Sequence, residues 1–284
     1  MSSSPDSGST GAAIANLRAL RDAGRPAVPS AIAIHHMQLL NGRTIVLVAL
    51  AVSLVCNLLL GLAARHHYIL AKLRAAEPTF TQHYSQKNFT VRAAGGHQLI
   101  ALFGDSRIAS WSPAPQVAGY DVMNRGVDGE TTAQMLYRFH QDVVALRPEY
   151  VIIQAGINDL VAAGLAPEAE SRIFNNTMTN LTSMVDQAKL SGVKVILLTI
   201  IPPASPGLFR RIVWSDRIPR LVTETNSKLA LLNAPPSVQV VDTQRALQTD
   251  HGTWKSGVIL DTLHLTPAGY TELNNAVARL LAQR

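Results

Sequence analysis

The chain has 284 residues, 47% of them hydrophobic and only 15% charged, with a formal net charge of +6. That length holds one sizeable domain plus an additional segment, and its positive charges are scattered rather than gathered into a stripe with interleaved aromatics, which argues against nucleic acid as a partner. The single cysteine, Cys56, excludes an internal disulfide and a structural thiolate zinc site.

Residues 1–43 open with "MSSSPDSGSTG" and are rich in small and polar residues and proline, so a disordered N-terminal tail is expected. From Thr44 to Ala64 the sequence reads "TIVLVALAVSLVCNLLLGLAA" without a charge. That run is long enough to cross a membrane once, and a transmembrane helix is predicted over 44–64. A cleaved signal peptide is the competing reading, with Gly61-Leu62-Ala63 offering small residues to a peptidase. The length of the apolar run and the residues ahead of it favour an uncleaved anchor. Arg65, Lys72 and Arg74 follow, as suits phospholipid head groups. Set against Arg25 and Arg43 on the other flank, they leave orientation open and slightly favour a cytoplasmic C-terminal side. Residues 65–96 form a connector ending at the turn signal Gly95-Gly96.

From residue 97 to 284 short apolar runs alternate with longer amphipathic ones. Strands are predicted at Gln98–Phe103, Tyr120–Met123, Tyr150–Gln154, Lys194–Ile200 and Val238–Val241. Helices are predicted at Thr131–Leu146, Pro167–Ser191, Arg217–Leu232 and Pro267–Leu281. "YVIIQ" and "KVILLTII" are continuously apolar, as expected where both faces of a sheet are covered. Strands alternating with helices predict an α/β domain with a mostly parallel sheet.

In such sheets ligands sit beyond the carboxyl ends of the strands. There the sequence places Gly104-Asp105-Ser106, then "NRGVDGETT" from Asn124, "AGIND" from Ala155, and "LDTLHLTPAGY" from Leu260. Together these hold the residue types that acyl transfer needs. Ser106 requires a base to become a nucleophile, and His264 can be that base. Asp261, three residues earlier, can hold the other imidazole nitrogen if the backbone is helical or tightly turned. The Ser106 and Gly129 backbone N–H groups and the Asn158 amide can form an oxyanion hole. Taken singly, each motif has a plain structural explanation: a helix cap at Asp105-Ser106, turn glycines at 126 and 129, a cap at Asn158-Asp159, a structural histidine at 264. Four such features at four separate strand ends, in order and of the right types, favour the chemical reading.

"FGDSR", "NRGVDGET", "GIND" and "DTLH" resemble the four blocks of the GDSL, or SGNH, esterase and lipase family. The resemblance covers about the last 190 residues. It implies a flavodoxin-like three-layer αβα sandwich, with Ser106 as nucleophile, Gly129 and Asn158 as oxyanion donors, and Asp261 and His264 as the rest of a triad. It also implies an acyl ester substrate, small or polymer-linked, on a lipid or a carbohydrate. Arg107 stands where the family name has leucine, and is taken to bear no chemistry. The absence of a G-x-S-x-G elbow, with Ile at 108, argues against the α/β-hydrolase fold.

The expected protein is therefore a membrane-anchored serine esterase acting through an acyl-serine intermediate, on acetyl or larger esters. It needs no metal or organic cofactor. An acyltransferase using the same triad on a carbohydrate is the alternative, and a non-catalytic binding module a more distant one. By analogy with signal-anchored envelope enzymes, the catalytic domain is expected outside the cytoplasm, in the periplasm. The basic stretch "PPASPGLFRRIVWSDRIPR", from Pro202, follows the fourth strand, and its Arg210 and Arg211 are candidates to favour an anionic acceptor. The adjacent pairs His35-His36 and His66-His67 lack the spacing that would turn both rings toward one metal ion.

Overall fold

The computed structural model describes residues 31–76, 97–208 and 210–282. The predicted tail lies outside these as far as residue 30, and so does the end of the connector, 77–96. The chain divides into two compact units after Lys72.

Helix α1 (Ala31–Ala76) contains the apolar run and extends well past 44–64 on both sides. Residues 31–43 and 65–76 are thus helical rather than tail or connector. No glycine pair or proline interrupts them, and each residue added to an existing helix gains a hydrogen bond without a new nucleation cost. Its large apolar side chains from Ile45 to Leu62 are exposed. Over Gly42–His67 it is long and apolar enough to cross a membrane.

The second unit is built on five parallel strands: β1 (Gln98–Gly104), β2 (Tyr120–Gly126), β3 (Tyr150–Gln154), β4 (Lys194–Leu198) and β5 (Val238–Val241). Their order is β2-β1-β3-β4-β5. The helices are α2 (Ser106–Ala109), α3 (Thr132–Asp142), α4 (Ile157–Leu165), α5 (Glu170–Leu190), α6 (Arg217–Ala230), α7 (Thr243–Leu247) and α8 (Pro267–Leu281). Both faces of the sheet are covered, giving the flavodoxin-like three-layer sandwich. Ala101, Phe103, Val151, Ile153, Val195 and Leu197 pack with Phe139 of α3, Leu160 of α4, Met184 of α5 and Leu221 of α6. The alternate residues Ile100, Leu102, Ile152, Ile196 and Leu198 pack with Ile108 of α2, Leu247 of α7 and Leu273 of α8. Each fully buried aliphatic side chain contributes about 1.5–3 kcal/mol.

Three helices, α2, α4 and α7, were not predicted. α2 and α7 are too short to show a 3.6-residue period, and α4 starts from Gly156 at φ +111, not from a side-chain cap. By contrast α8 carries its signals openly, with Thr266 as cap and Pro267 in the first turn. The predicted Thr131–Leu146 helix ends at Asp142 and continues after Val143 as a 3-10 turn over Val144–Leu146.

This order creates the site. The chain leaves β1 for β2 on one side, then crosses back to β3 on the other, so the crevice of a parallel sheet opens where β1 and β3 end. Gly104 is in register with Gly126 of β2 and with Gln154 of β3, so these three strands end level. A side chain at Gly104 would collide with the Gln154 carbonyl, and one at Gly126 with the backbone of Ala109. The two glycines let α2 start directly beneath the strand ends.

Candidate active site

Ser106 is the first residue of α2. The residue ahead of it, Asp105, is the cap: its Oδ1 accepts the Arg107 N–H at 2.9 Å. Both sequence readings of this turn thus hold together, with aspartate capping the helix and the serine hydroxyl left free for another partner. That partner is His264, whose Nε2 lies 3.0 Å from Ser106 Oγ.

His264 sits on a tight turn rather than a helix. The turn is closed by a bridge between Ile259 and Leu265, and the Leu260 N–H donates to the His264 carbonyl at 3.0 Å. Within it Asp261 Oδ2 is 2.9 Å from His264 Nδ1, while Oδ1 accepts the Leu263 N–H at 2.7 Å and the His264 N–H at 2.9 Å. A carboxylate only accepts, so Nδ1 carries the proton and Nε2 is left to accept from Ser106. Burial pushes the Asp261 carboxyl upward, but the Leu263 N–H, the imidazole and the His264 N–H outweigh it and hold the group at about 2. Asp261 is therefore ionised at neutral pH.

The second strand-end block forms a turn over Val127–Glu130. Val127 N–H donates to the Gly104 carbonyl at 3.0 Å, and Gly129 takes φ +74. Asn158, at the start of α4, donates from Nδ2 to the Glu130 carbonyl at 2.9 Å. The backbone N–H groups of Ser106 and Gly129 have no protein acceptor among the described residues. Asn124, which opens this block, has a structural task. Its Nδ2 donates to Ile108 O at 2.6 Å and its Oδ1 accepts the Gly126 N–H at 2.8 Å, pinning α2 to β2.

Behind this turn lies a buried ion cluster that the sequence did not announce. Arg138 of α3 meets Glu130 Oε2 at 2.6 Å and Asp142 Oδ2 at 3.0 Å, and Nη2 donates to the Gly104 carbonyl at 3.3 Å. Burial raises the Glu130 carboxyl above its ordinary value, opposed chiefly by Arg138. Asp159 joins α4 to α3 by accepting the Thr132 N–H at 2.9 Å and hydroxyl at 2.8 Å.

Arg107 was also missed. Rather than a varying position without consequence, it is a 1% exposed side chain whose Nε donates to the Leu263 carbonyl at 2.8 Å. The sequence carried no local signal for this, since its partner Leu263 lies 156 residues away.

Arg210 and Arg211 make their contacts within their own segment. The Arg210 guanidinium lies 5.5 Å from the Trp214 ring centre, and Arg211 Nε donates to Pro206 O at 3.3 Å. Their segment does touch the histidine turn, through the Ala204 N–H on the Thr262 carbonyl at 2.9 Å.

The chain is similar to known proteins to differing extents. The chain is 27% identical over 168 residues to an acetylxylan esterase from Geobacillus stearothermophilus, covering 57% of this chain and 72% of that protein. It is 30% identical over 124 residues to the uncharacterized lipoprotein YqeF of Bacillus subtilis, covering 38% of this chain and only 50% of the lipoprotein. A solved GDSL-like lipase from Bacteroides thetaiotaomicron shares the fold with TM-score 0.59 at 23% identity, over 72% of this chain and 98% of that one. The model of the GDSL-like lipase/acylhydrolase family matches residues 91–271, more than half of the sequence, and the chain belongs to that family.

Proposed function

We propose that this chain is a serine esterase that removes an acyl group through an acyl-serine intermediate. The observation that carries the reading is the continuous hydrogen-bonded chain from Ser106 Oγ to His264 Nε2 and from His264 Nδ1 to Asp261. His264 takes the Ser106 proton as Oγ attacks the ester carbonyl, and Asp261 stabilises the imidazolium that forms. The oxyanion is met by the free N–H groups of Ser106 and Gly129 and by the second amide proton of Asn158. Collapse of the tetrahedral species expels the alcohol, which leaves with the proton from His264. Water then attacks the acyl-serine, again losing its proton to His264, and collapse of this second tetrahedral species breaks the acyl–Oγ bond, releases the carboxylic acid and returns the proton from His264 to Ser106 Oγ.

The similarity to an acetylxylan esterase supports a short acyl group on a carbohydrate hydroxyl as the substrate class. The apolar Gly42–His67 stretch supports a single-pass membrane anchor. The segment bearing Arg210 and Arg211 borders the histidine turn, which supports a part in receiving the alcohol side of the ester.

The test is turnover of p-nitrophenyl acetate and of an acetylated xylo-oligosaccharide by the full chain in detergent, beside Ser106→Ala. The wild type is expected to hydrolyse both, and the variant to lose about 10⁴-fold or more with its melting temperature unchanged. A wild type inert to esters and unlabelled by a fluorophosphonate would overturn the reading. Acetyl transfer to an added sugar in preference to water would make the protein a transferase using the same residues.

A further inference from the structure

Resting on the esterase reading, we infer that Arg107 is a positioning residue: its guanidinium straps the peptide that carries His264 to the residue next to the nucleophile. The peptide unit between Leu263 and His264 is gripped on both sides. Its carbonyl accepts from Arg107 Nε at 2.8 Å, and its N–H donates to Asp261 Oδ1 at 2.9 Å. A peptide group held at both polar ends cannot rotate, so the backbone from which the imidazole projects is fixed before substrate arrives. The strap's other end is equally fixed. Arg107 donates its own N–H to Asp105 Oδ1 at 2.9 Å, and its carbonyl accepts the Tyr270 hydroxyl at 2.8 Å. Ser106 and His264, 158 residues apart in sequence, are therefore linked by one side chain as well as by their own hydrogen bond.

Stability alone does not explain this arginine. It is 1% exposed, and its Nη1 and Nη2 have no hydrogen-bond partner among the described residues. Burying a guanidinium with two unpaired nitrogens carries a desolvation cost that its attraction to Asp105 only partly offsets. The leucine of the family signature would fill the space but could donate nothing to Leu263. What arginine adds at this position is the directed hydrogen bond, and with it a defined Ser106–His264 geometry. Displacement of a catalytic group by about 1 Å can cost about 10²-fold in rate.

The experiment compares the full chain in detergent with Arg107→Met, Arg107→Lys and Tyr270→Phe. Each rate is normalised to the fraction of enzyme that a fluorophosphonate finally labels. Arg107→Met should lower kcat on p-nitrophenyl acetate by about 10- to 100-fold with KM within twofold, and because Asp105 loses its cation the melting temperature should fall as well, an effect that normalising to labelled enzyme removes from kcat. The rate of fluorophosphonate labelling should fall in parallel. Arg107→Lys, which keeps a donor, should recover most of that loss. Tyr270→Phe, which frees only the main-chain end of the strap, should give a smaller kcat loss and keeps the question open to test if Arg107→Met does not fold. An Arg107→Met enzyme with wild-type kcat per labelled site overturns the positioning role while leaving the esterase reading intact, and so does a lysine variant that recovers nothing. A wild type that neither turns over nor labels sinks both.

Discussion

The Asn158 side chain donates one amide proton to the carbonyl of Glu130, 2.9 Å away, and so fixes itself to the turn that carries Gly129. A primary amide has two protons. The second is available to substrate from a side chain that is already immobilised, which is the condition for an oxyanion donor to act without reorganisation cost. Asn158→Ala is therefore expected to lower kcat on p-nitrophenyl acetate by about 10²- to 10³-fold. KM should move little, since the ground-state carbonyl is held less strongly than the oxyanion. Asn158→Asp should be at least as impaired, because an ionised carboxylate donates nothing and repels the developing charge. Steady-state kinetics on both variants checks this, and an Asn158→Ala enzyme within threefold of wild type would remove Asn158 from the oxyanion hole.

Gly129, the proposed companion donor, has its backbone at φ +74, with open space where a Cβ would project. Gly129→Ala meets no clash there, and its penalty is conformational, about 1–2 kcal/mol. The turn can relieve that strain by rotating the peptide whose N–H is the proposed donor. The expected signature is a melting temperature lowered by a few degrees and a much larger proportional fall in kcat. Equal wild-type kcat would show that this N–H is not used.

How much of this was legible beforehand follows from what each residue needs. The strand Tyr150–Gln154 is an apolar run covered on both faces and its limits could be read to the residue, whereas the equally apolar run predicted to Ile200 leaves the sheet after Leu198. Ser106, Asp261 and His264 could be proposed as a triad because they lie in ordered blocks at strand ends, and the structure joins the three by hydrogen bonds. α4 was not legible, because a short helix entered through a glycine at positive φ offers neither a side-chain cap nor enough turns to show a period. Arg107 and Arg138 were not, because nothing local distinguishes an arginine bound for solvent from one that turns inward. Their partners, Leu263 and Glu130, are brought near by the sheet order rather than by sequence spacing.

Arg138 is the sole basic group bonded to both Glu130 and Asp142 among the described residues, and all three side chains are essentially unexposed. Arg138→Met leaves two buried carboxylates without their cation, and should destabilise the domain by about 3–5 kcal/mol. Adding Glu130→Gln to Arg138→Met should restore part of that loss, since one uncompensated charge is then gone. Denaturant unfolding of the single and double variants measures the coupling. Additive losses would mean that the cluster is not acting as a unit.

Asp105 ties the fold of the nucleophile turn to pH. It is fully buried, and desolvation pushes its carboxyl from 3.8 up to about 6, against the opposing pull of Arg107 and its N–H. The folded state therefore holds this proton more tightly than the unfolded chain does. The resulting stabilisation is complete below pH 3.8 and is lost as pH rises through about 6. Asp105→Asn keeps an oxygen to cap α2 but titrates nothing. The stability of the wild type relative to this variant should fall by about 2 kcal/mol between pH 4 and pH 7. Asp261 does not confuse the measurement. Its carboxyl lies at about 2, so its contribution is present above 3.8 and is lost only as pH falls below the window. Unfolding curves for both proteins at pH 4, 5, 6 and 7 give the difference directly. A flat difference would mean that Asp105 is ionised throughout, with Arg107 compensating its burial in full.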